Sequence, residues 1–259
     1  MEVMATKAHR SPRRTQALSR DVIVQTAIDM LDAGGEDGLT LKALTVRLST
    51  GYGAIYHHVA DRNDLLAAAA DDIIADVIAG VVADLVAEAE PRQVLRALAL
   101  GLFDAIDAHA WVGAQLTREP WRPALLDIYE NVAGQLQALG VPEEALSDSA
   151  GVLVNYIFGV AGQNAANARA LAESRMDRSE FLASVAARWA QLDPARYPSV
   201  RKARTHLREH DDREQFLTGI DLILAGIETV NHASNDNPRP VGAELPPEAD
   251  PSATQPADT

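Results

Sequence analysis

Between Thr40 and Leu66 the chain reads TLKALTVRLSTGYGAIYHHVADRNDLL, two short helical segments divided by a tight Ser49-Thr50-Gly51 turn. Leu41, Leu44 and Leu48 fall at i, i+3 and i+7 and so share one face of a helix that Thr40 is placed to cap. The second segment begins at Gly51 or Tyr52 and turns Ile55, His58 and Val59 inward. Two helices in this relation form a helix-turn-helix, whose second helix lies in the major groove of DNA.

A helical wheel divides the second segment. At ~100° per residue, with Ile55 inward, Gly53 and His57 point away and Tyr56 lies on the flank. Tyr52, in the first turn, can splay toward a groove. Tyr52, Gly53, Ala54, Tyr56 and His57 are therefore the candidate DNA-facing set. Gly53 and Ala54 are small enough for close approach, and tyrosine hydroxyls can donate or accept at a base or a phosphate. Ile55, His58 and Val59 read as core, with His58 packed and hydrogen-bonded. Neighbouring histidines on a helix diverge by ~100°, so His57 and His58 do not form a metal pair, and no metal site or cofactor is expected.

At these positions the sequence resembles the TetR family of bacterial transcriptional repressors. The resemblance rests on Leu39-Thr40, Leu44, Leu48, the Ile55-Tyr56 pair, His58-Val59 and Leu65, and covers roughly residues 18–66. The chain departs from the family at Thr45, Ser49 and Thr50, where Ala, Gly and Val are commoner, and at Arg62, where Lys is usual. The resemblance implies phosphate contacts from Thr40 and Lys42, groove contacts from Tyr52, Gly53, Tyr56 and His57, and a backbone clamp at Arg62. It further implies a homodimer on an inverted-repeat, double-stranded operator, released by a small-molecule effector.

The formal charge of −14 argues at first against a nucleic-acid partner, so its distribution matters. Residues 1–66 carry eight basic and eight acidic residues, whereas the remainder carries 15 and 29. The first twenty residues hold five basic and one acidic. A neutral head with a cationic arm is compatible with phosphate contact. The arm, residues 1–17, reads as flexible; it is either an extension laid along DNA or an ordinary basic leader. There is no cysteine, no apolar run near the ~20 residues that span a membrane, and no signal-peptide core, which together fit a bacterial cytoplasm.

The fold class expected is all-α: a helix-turn-helix domain over 18–66, joined to a larger helical regulatory and dimerisation bundle over 67–232. Ser19 caps a first helix over Asp21 to Asp32 that ends at Gly34-Gly35. Asp61 caps a long helix, Pro91 opens another, and further helices follow over Pro123 to Leu139, from Pro142 past Asn167, over Ser179 to Gln191 and over Asp212 to His232. Residues 233–259, with six prolines, read as a disordered tail.

Two late helices carry apolar stripes: Ile157, Ala161, Ala165 and Ala168 on one, Phe216, Ile220, Ile223 and Ile227 on the other. Such stripes serve either core packing or a two-fold helical interface, and the family resemblance favours the interface. Asp193 to Val200 and Phe216 to Asp221 also resemble the C-terminal domain of the tetracycline-type subgroup. Phe103, His109, Trp111, Trp121, Tyr129, Asn155, Tyr156, Phe158, Gln163, Asn164 and Asn167 could line an effector cavity, being mostly aromatic and amide residues. The polar and histidine set expected of a tetracycline–magnesium site is missing.

Two other classes stay open. A regulator without a small-molecule effector has the same head. A helical-bundle enzyme would draw on His206, His210, Asp211 and Asp212, or on Asp71-Asp72, yet helix capping and solvation explain these, and no phosphate loop, nucleophile elbow or triad is present. The chain is read as a non-enzyme.

Overall fold

A computed structural model describes residues 18–84, 89–174, 176–207 and 210–236; the basic arm, and the tail beyond Asp236, lie outside them. Eleven helices and no strand occur among the described residues: α1 (Arg20–Gly38), α2 (Leu41–Leu48), α3 (Tyr52–Tyr56), α4 (Arg62–Asp84), α5 (Pro91–Ala108), α6 (Val112–Leu116), α7 (Pro123–Ala138), α8 (Glu143–Ser174), α9 (Arg178–Ala190), α10 (Pro198–Ala203) and α11 (Asp212–Asp236).

Helix starts follow local chemistry. The Ser19 hydroxyl accepts Val22 N–H at 3.3 Å and the Thr40 hydroxyl accepts Ala43 N–H at 3.1 Å. At α4 a reciprocal box forms: Asp61 accepts Asp64 N–H, and Asp64 accepts Ala60 N–H, both at 2.9 Å. Glu90 and Gln93 form a second box at α5, beside Pro91. α7 is capped from another helix, since Asp71 on α4 accepts Ala124 N–H at 3.1 Å.

Two helix ends and two whole helices differ from expectation. α1 does not stop at Asp32; it kinks at Gly35 (φ 63°, ψ −169°) and winds on to Gly38. Glycine reaches that conformation without a Cβ penalty. α11 runs to Asp236, four residues past the expected end, and α6 and α10 had no counterpart in the sequence reading.

α1 packs on α2 and α4, and α4 carries the head into a bundle of α4, α5, α7, α8 and α11. Ile23, Leu31, Leu39, Leu44, Ile55 and Leu65 are almost fully buried in the head, as are Leu95, Leu102, Ile128, Leu153 and Phe216 in the bundle. Phe216 stacks between Phe103 at 4.6 Å and Tyr156 at 5.7 Å, fastening α11 to α5 and α8. Each such pair adds about 0.5–1.5 kcal/mol beyond area burial. Arginines reinforce the α5–α11 seam: Arg92 reaches Glu228 at 3.1 Å and Asp221 at 3.6 Å, Arg96 pairs with Asp221, and Arg213 with Asp104 at 3.0 Å.

α8 has the length and composition to cross a membrane, with a mean hydropathy of 1.2 in its most apolar window, although Asn155, Gln163 and Asn164 break its apolar residues into short runs. In the fold its Leu153, Ile157, Ala161 and Ala165 face the bundle core.

Candidate functional site

α3 is short, so its position is imposed by what it packs against. Ile55 and Val59 are buried with Leu44 and Leu39, which turns the rest of α3 outward. Tyr52 is 48% and Tyr56 51% exposed, and Gly53, Ala54 and His57 are exposed with them. Thr40 and Lys42 are exposed at the start of α2. The Thr40 oxygen already accepts Ala43 N–H, so its hydroxyl proton is available to an outside acceptor.

His58 is half-buried and meets His57 edge-on at 5.4 Å, and no hydrogen bond to its ring is present among the described residues. The expected hydrogen-bonded core histidine is therefore corrected to one held by packing.

The turn between α2 and α3 contains Ser49 at φ 52°, ψ 44°, the left-handed region. This is where the family commonly has glycine, and serine adopts the same conformation at a steric cost. Thr45, also a departure, is buried and its hydroxyl donates to Lys42 O at 2.8 Å. Its extra polar atom is thereby satisfied.

Arg62 corrects an expectation. Its Nε donates to Leu39 O at 2.8 Å, and one terminal nitrogen donates to Glu36 O. The guanidinium thus bonds carbonyls at the end of α1, that of Glu36 also accepting Leu39 N–H, and ties them to the start of α4. It is a clasp within the head, and a phosphate clamp is not what its geometry serves.

Val46 was missed. It is 74% exposed, one turn on from Lys42 and on the same side of α2. The wheel that turns Leu44 inward puts Val46 ~200° away, so the signal was present in the periodicity.

A junction joins head and bundle. Asp32, on α1, accepts from His109 Nδ1 and from Trp111 Nε1, both at 2.8 Å. Glu36 accepts from Gln115 at 2.7 Å and from Arg118 at 3.0 Å. His109 and Trp111, expected in the effector cavity, belong to this junction instead, because a buried indole N–H needs an acceptor and Asp32 supplies it.

A cavity of about 790 Å³ lies where the C-terminal ends of α5 and α8 meet the N-terminal ends of α9 and α11. Of the residues named for an effector cavity, Asn164 and Asn167 line this one, and the Asn164 amide donates to Asp107 at 2.8 Å. The other expected lining residues are elsewhere. Phe103 and Tyr156 are stacked on Phe216, and the Tyr156 hydroxyl donates to Phe216 O at 3.2 Å. Tyr129 donates to Ser147 at 3.2 Å, Asn155 is exposed on α8, and Trp121 is 68% exposed. Asp71, Asp211 and Asp212 of the enzyme reading serve helix caps and ion pairs. Asp211 caps α11 through Arg213 and Glu214 N–H, and Asp212 pairs with Arg178 at 2.9 Å and His210 at 3.0 Å. Among the described residues no group of three His, Asp or Glu is placed to hold a metal.

The proposed association stripes are also corrected. Ile157, Ala161, Ala165, Phe216 and Ile220 are buried inside the protomer, Ile223 and Ile227 pack against the same core, and Ala168 lies at the cavity. Their apolar period reports the bundle's own core. The opposite faces of the same helices are the exposed ones, with Val152 and Gly159 on α8 and Leu222, Ala225 and Gly226 on α11.

Residues 88–231 match the family described as the tetracyclin repressor-like C-terminal domain. The HTH-type transcriptional repressor DrrR1 of Streptomyces coeruleorubidus is 25% identical over 223 residues, 85% of this chain and 80% of that protein. The transcriptional regulator SCO7222, a TetR from Streptomyces coelicolor, is 44% identical in its solved structure, with a TM-score of 0.74 over 83% of this chain and 99% of that one. ActR from the same organism, solved in complex with actinorhodin, has a TM-score of 0.68 at 22% identity over 83% and 98% of the two chains, a likeness of fold. A head with an exposed reading helix, a helical bundle of this topology, and these matches lead to one conclusion: the chain belongs to the TetR family of transcriptional regulators.

Proposed function

We propose that this protein is a cytoplasmic repressor that binds an inverted-repeat operator as a homodimer and is released by a small molecule. The observation that carries the reading is the α3 surface: Tyr52, Gly53, Ala54, Tyr56 and His57 stand clear of the protein on a helix whose other side is anchored by Ile55. Thr40, Lys42 and Val46 flank it on α2, where phosphates would lie. Dimerisation is assigned to the exposed face of α8 and α11, where Leu222 is 70% exposed among small residues that permit close helix approach.

Two such heads must enter successive major grooves about 34 Å apart, so operator affinity depends on their separation. The cavity and the head are joined through one stretch of chain. Asp107 lines the cavity, and His109, two residues on, caps α5 and bonds Asp32 of α1. An effector that binds one position of the α5 end better than another would therefore bias the head. ActR, which shares the fold, was solved with actinorhodin bound, so such a bundle accommodates an organic molecule.

The test is selection of bound DNA from a random pool, followed by titration of the recovered site. Recovery of an inverted repeat with two half-sites one helical turn apart is expected. Recovery of no preferred sequence, or stoichiometric binding of a single protomer to a lone half-site, would refute the reading.

A further inference from the structure

The cavity's walls and its rim have different chemistry. Leu171 and Ala172 from α8, with Met176, Phe181 and Leu182, supply an apolar lining, and Met176 and Phe181 remain well exposed there. Its volume of about 790 Å³ is in the range that holds drug-sized molecules. The polar part is unbalanced. Among the described residues, four aspartates line the cavity, at 107, 177, 211 and 212, against one arginine, Arg178.

Most of the positive charge is already matched. Arg178 pairs with Asp212 at 2.9 Å and donates to His210 O at 2.9 Å, and His210 also faces Asp212. Among the described residues, the hydrogen bonds to Asp107, Asp177 and Asp211 come from neutral donors, namely the Asn164 amide, Ser179, and the N–H groups of Arg213 and Glu214, while the charges of Arg178 and Arg213 act on Asp211 through space. Hydrogen bonds from Ser179 hold Asp177 below the usual carboxylate range, and backbone N–H donors do the same for Asp211, so both stay ionised. These two cap helices whose N-terminal dipoles offset part of their charge. Asp107 has no such offset. It lies one residue from the C-terminal end of α5, and Leu171 and Ala172 lie at that of α8, where helix dipoles add negative potential.

We infer that this cavity binds an organic cation with an apolar body, its charge set toward Asp107 and its body against Phe181, Leu182 and Leu171. The inference rests on the effector-released reading above and names the effector's chemical class. The exposed Phe181 ring adds a cation–π surface, and Met176 can adapt to bodies of different shape. A neutral or anionic molecule of equal size would meet the same walls without the attraction.

Two probes of the same shape and opposite charge decide it: tetraphenylphosphonium and tetraphenylborate, titrated calorimetrically into the full chain. The phosphonium is expected to bind at least ~10-fold tighter than the borate. Asp107→Asn should weaken the phosphonium ~3- to 5-fold while leaving the borate unchanged or improved, as one partly screened charge at contact distance implies. Ala172→Trp, which fills the cavity, should abolish phosphonium binding. Equal or tighter binding of the borate, no binding of the phosphonium, or phosphonium binding indifferent to both variants would overturn the inference. A parallel titration against the operator complex separates the two readings. Release of DNA by the borate would sink the cation inference and leave effector control standing. Phosphonium binding in the cavity with the operator still held would leave the site standing and refute effector control.

Discussion

The indole Nε1–H of Trp111 donates to Oδ1 of Asp32 at 2.8 Å, joining the α5–α6 corner to the helix that supports the reading head. His109 bonds the same oxygen at 2.8 Å. One carboxylate of the head therefore receives two donors from the bundle, with little slack between them. Asp32→Ala should leave operator affinity within ~2-fold, since the residue is remote from α3, but should blunt effector-driven release. Trp111→Phe removes one bond and keeps the ring, and should give a smaller loss of coupling with a stability cost of about 1–2 kcal/mol. Operator titrations with and without effector measure both; full release in Asp32→Ala would show that coupling runs elsewhere.

The Arg62 clasp gives a prediction opposite to that of a phosphate clamp. Arg62→Ala should cost about 1.5–3 kcal/mol of stability, because charge-assisted bonds to two backbone carbonyls are lost. The slope of log affinity against log salt should stay as it is. Lys42→Ala should do the reverse, leaving the melting point unchanged and lowering the salt slope by ~1. Tyr56→Phe and His57→Ala should weaken selected-operator binding with no change in stability.

Ser49 stands in left-handed backbone that glycine enters freely. Ser49→Gly should raise stability by about 0.5–1 kcal/mol, and Ser49→Val, branched at Cβ, should lower it by about 1–2 kcal/mol. Thermal unfolding of the two variants beside the parent checks the sign. A destabilised Ser49→Gly would mean that the serine side chain, not the backbone, matters in the turn.

What could be read from the sequence divides along a physical line. Caps such as Ser19, Thr40 and Asp61, and the proline at the start of α5, act within four residues of themselves, so they were visible. The inward set of the head was visible for the same reason, as Leu44, Ile55 and Val59 follow one helical period. Arg62 was misassigned because its acceptors are carbonyls 23 and 26 residues away, which no side-chain pattern marks. Stripes on α8 and α11 were recognised as apolar, but periodicity does not say whether Ile157 meets its own bundle or a second copy. α6 and α10 have five and six residues and form only because neighbours hold them. The cavity combines three stretches distant in sequence, around 107, 164–182 and 210–212, and of its walls Asn164 and Asn167 entered the expected lining set.

Gly219 faces Tyr156, and a Cβ placed there would collide with the tyrosine hydroxyl and ring. Gly219→Ala gains about 1 kcal/mol of helix propensity but must displace the ring stacked on Phe216. Overpacking of this kind costs about 1–3 kcal/mol, so a net loss is expected. Shortening the ring should relieve it: Tyr156→Ala together with Gly219→Ala should cost less than the sum of the two singles. Strict additivity would place the collision elsewhere.

Two carboxylates shift in opposite directions and so leave different marks on acid unfolding. Burial on α4 raises Asp71 above its ordinary 3.8, outweighing the Ala124 N–H and Arg122 that favour its charge. The Arg96 guanidinium, bonded to Asp221, holds that group below 3.8. For Asp221 the unfolded chain binds the proton first, so its contribution is present above the ordinary value and is lost as pH falls through the lower folded value. For Asp71 the folded chain binds the proton first, so its ionised form weakens the fold at neutral pH and acidification removes that cost. Asp71→Asn keeps an oxygen to accept Ala124 N–H without the charge, and should match or exceed the parent's stability at pH 7. The advantage should vanish below about pH 3.8, where the parent's carboxyl is neutral in both states. Asp71→Ala lacks both the cap and the buried charge, and should be about 1 kcal/mol less stable than the parent below about pH 3.8 and by a smaller margin at pH 7. Asp221→Asn should lose stability at pH 7 and flatten the acid limb. Denaturant titrations at a series of pH values measure all three, and an Asp71→Asn protein destabilised at pH 7 would show that the buried charge favours the fold.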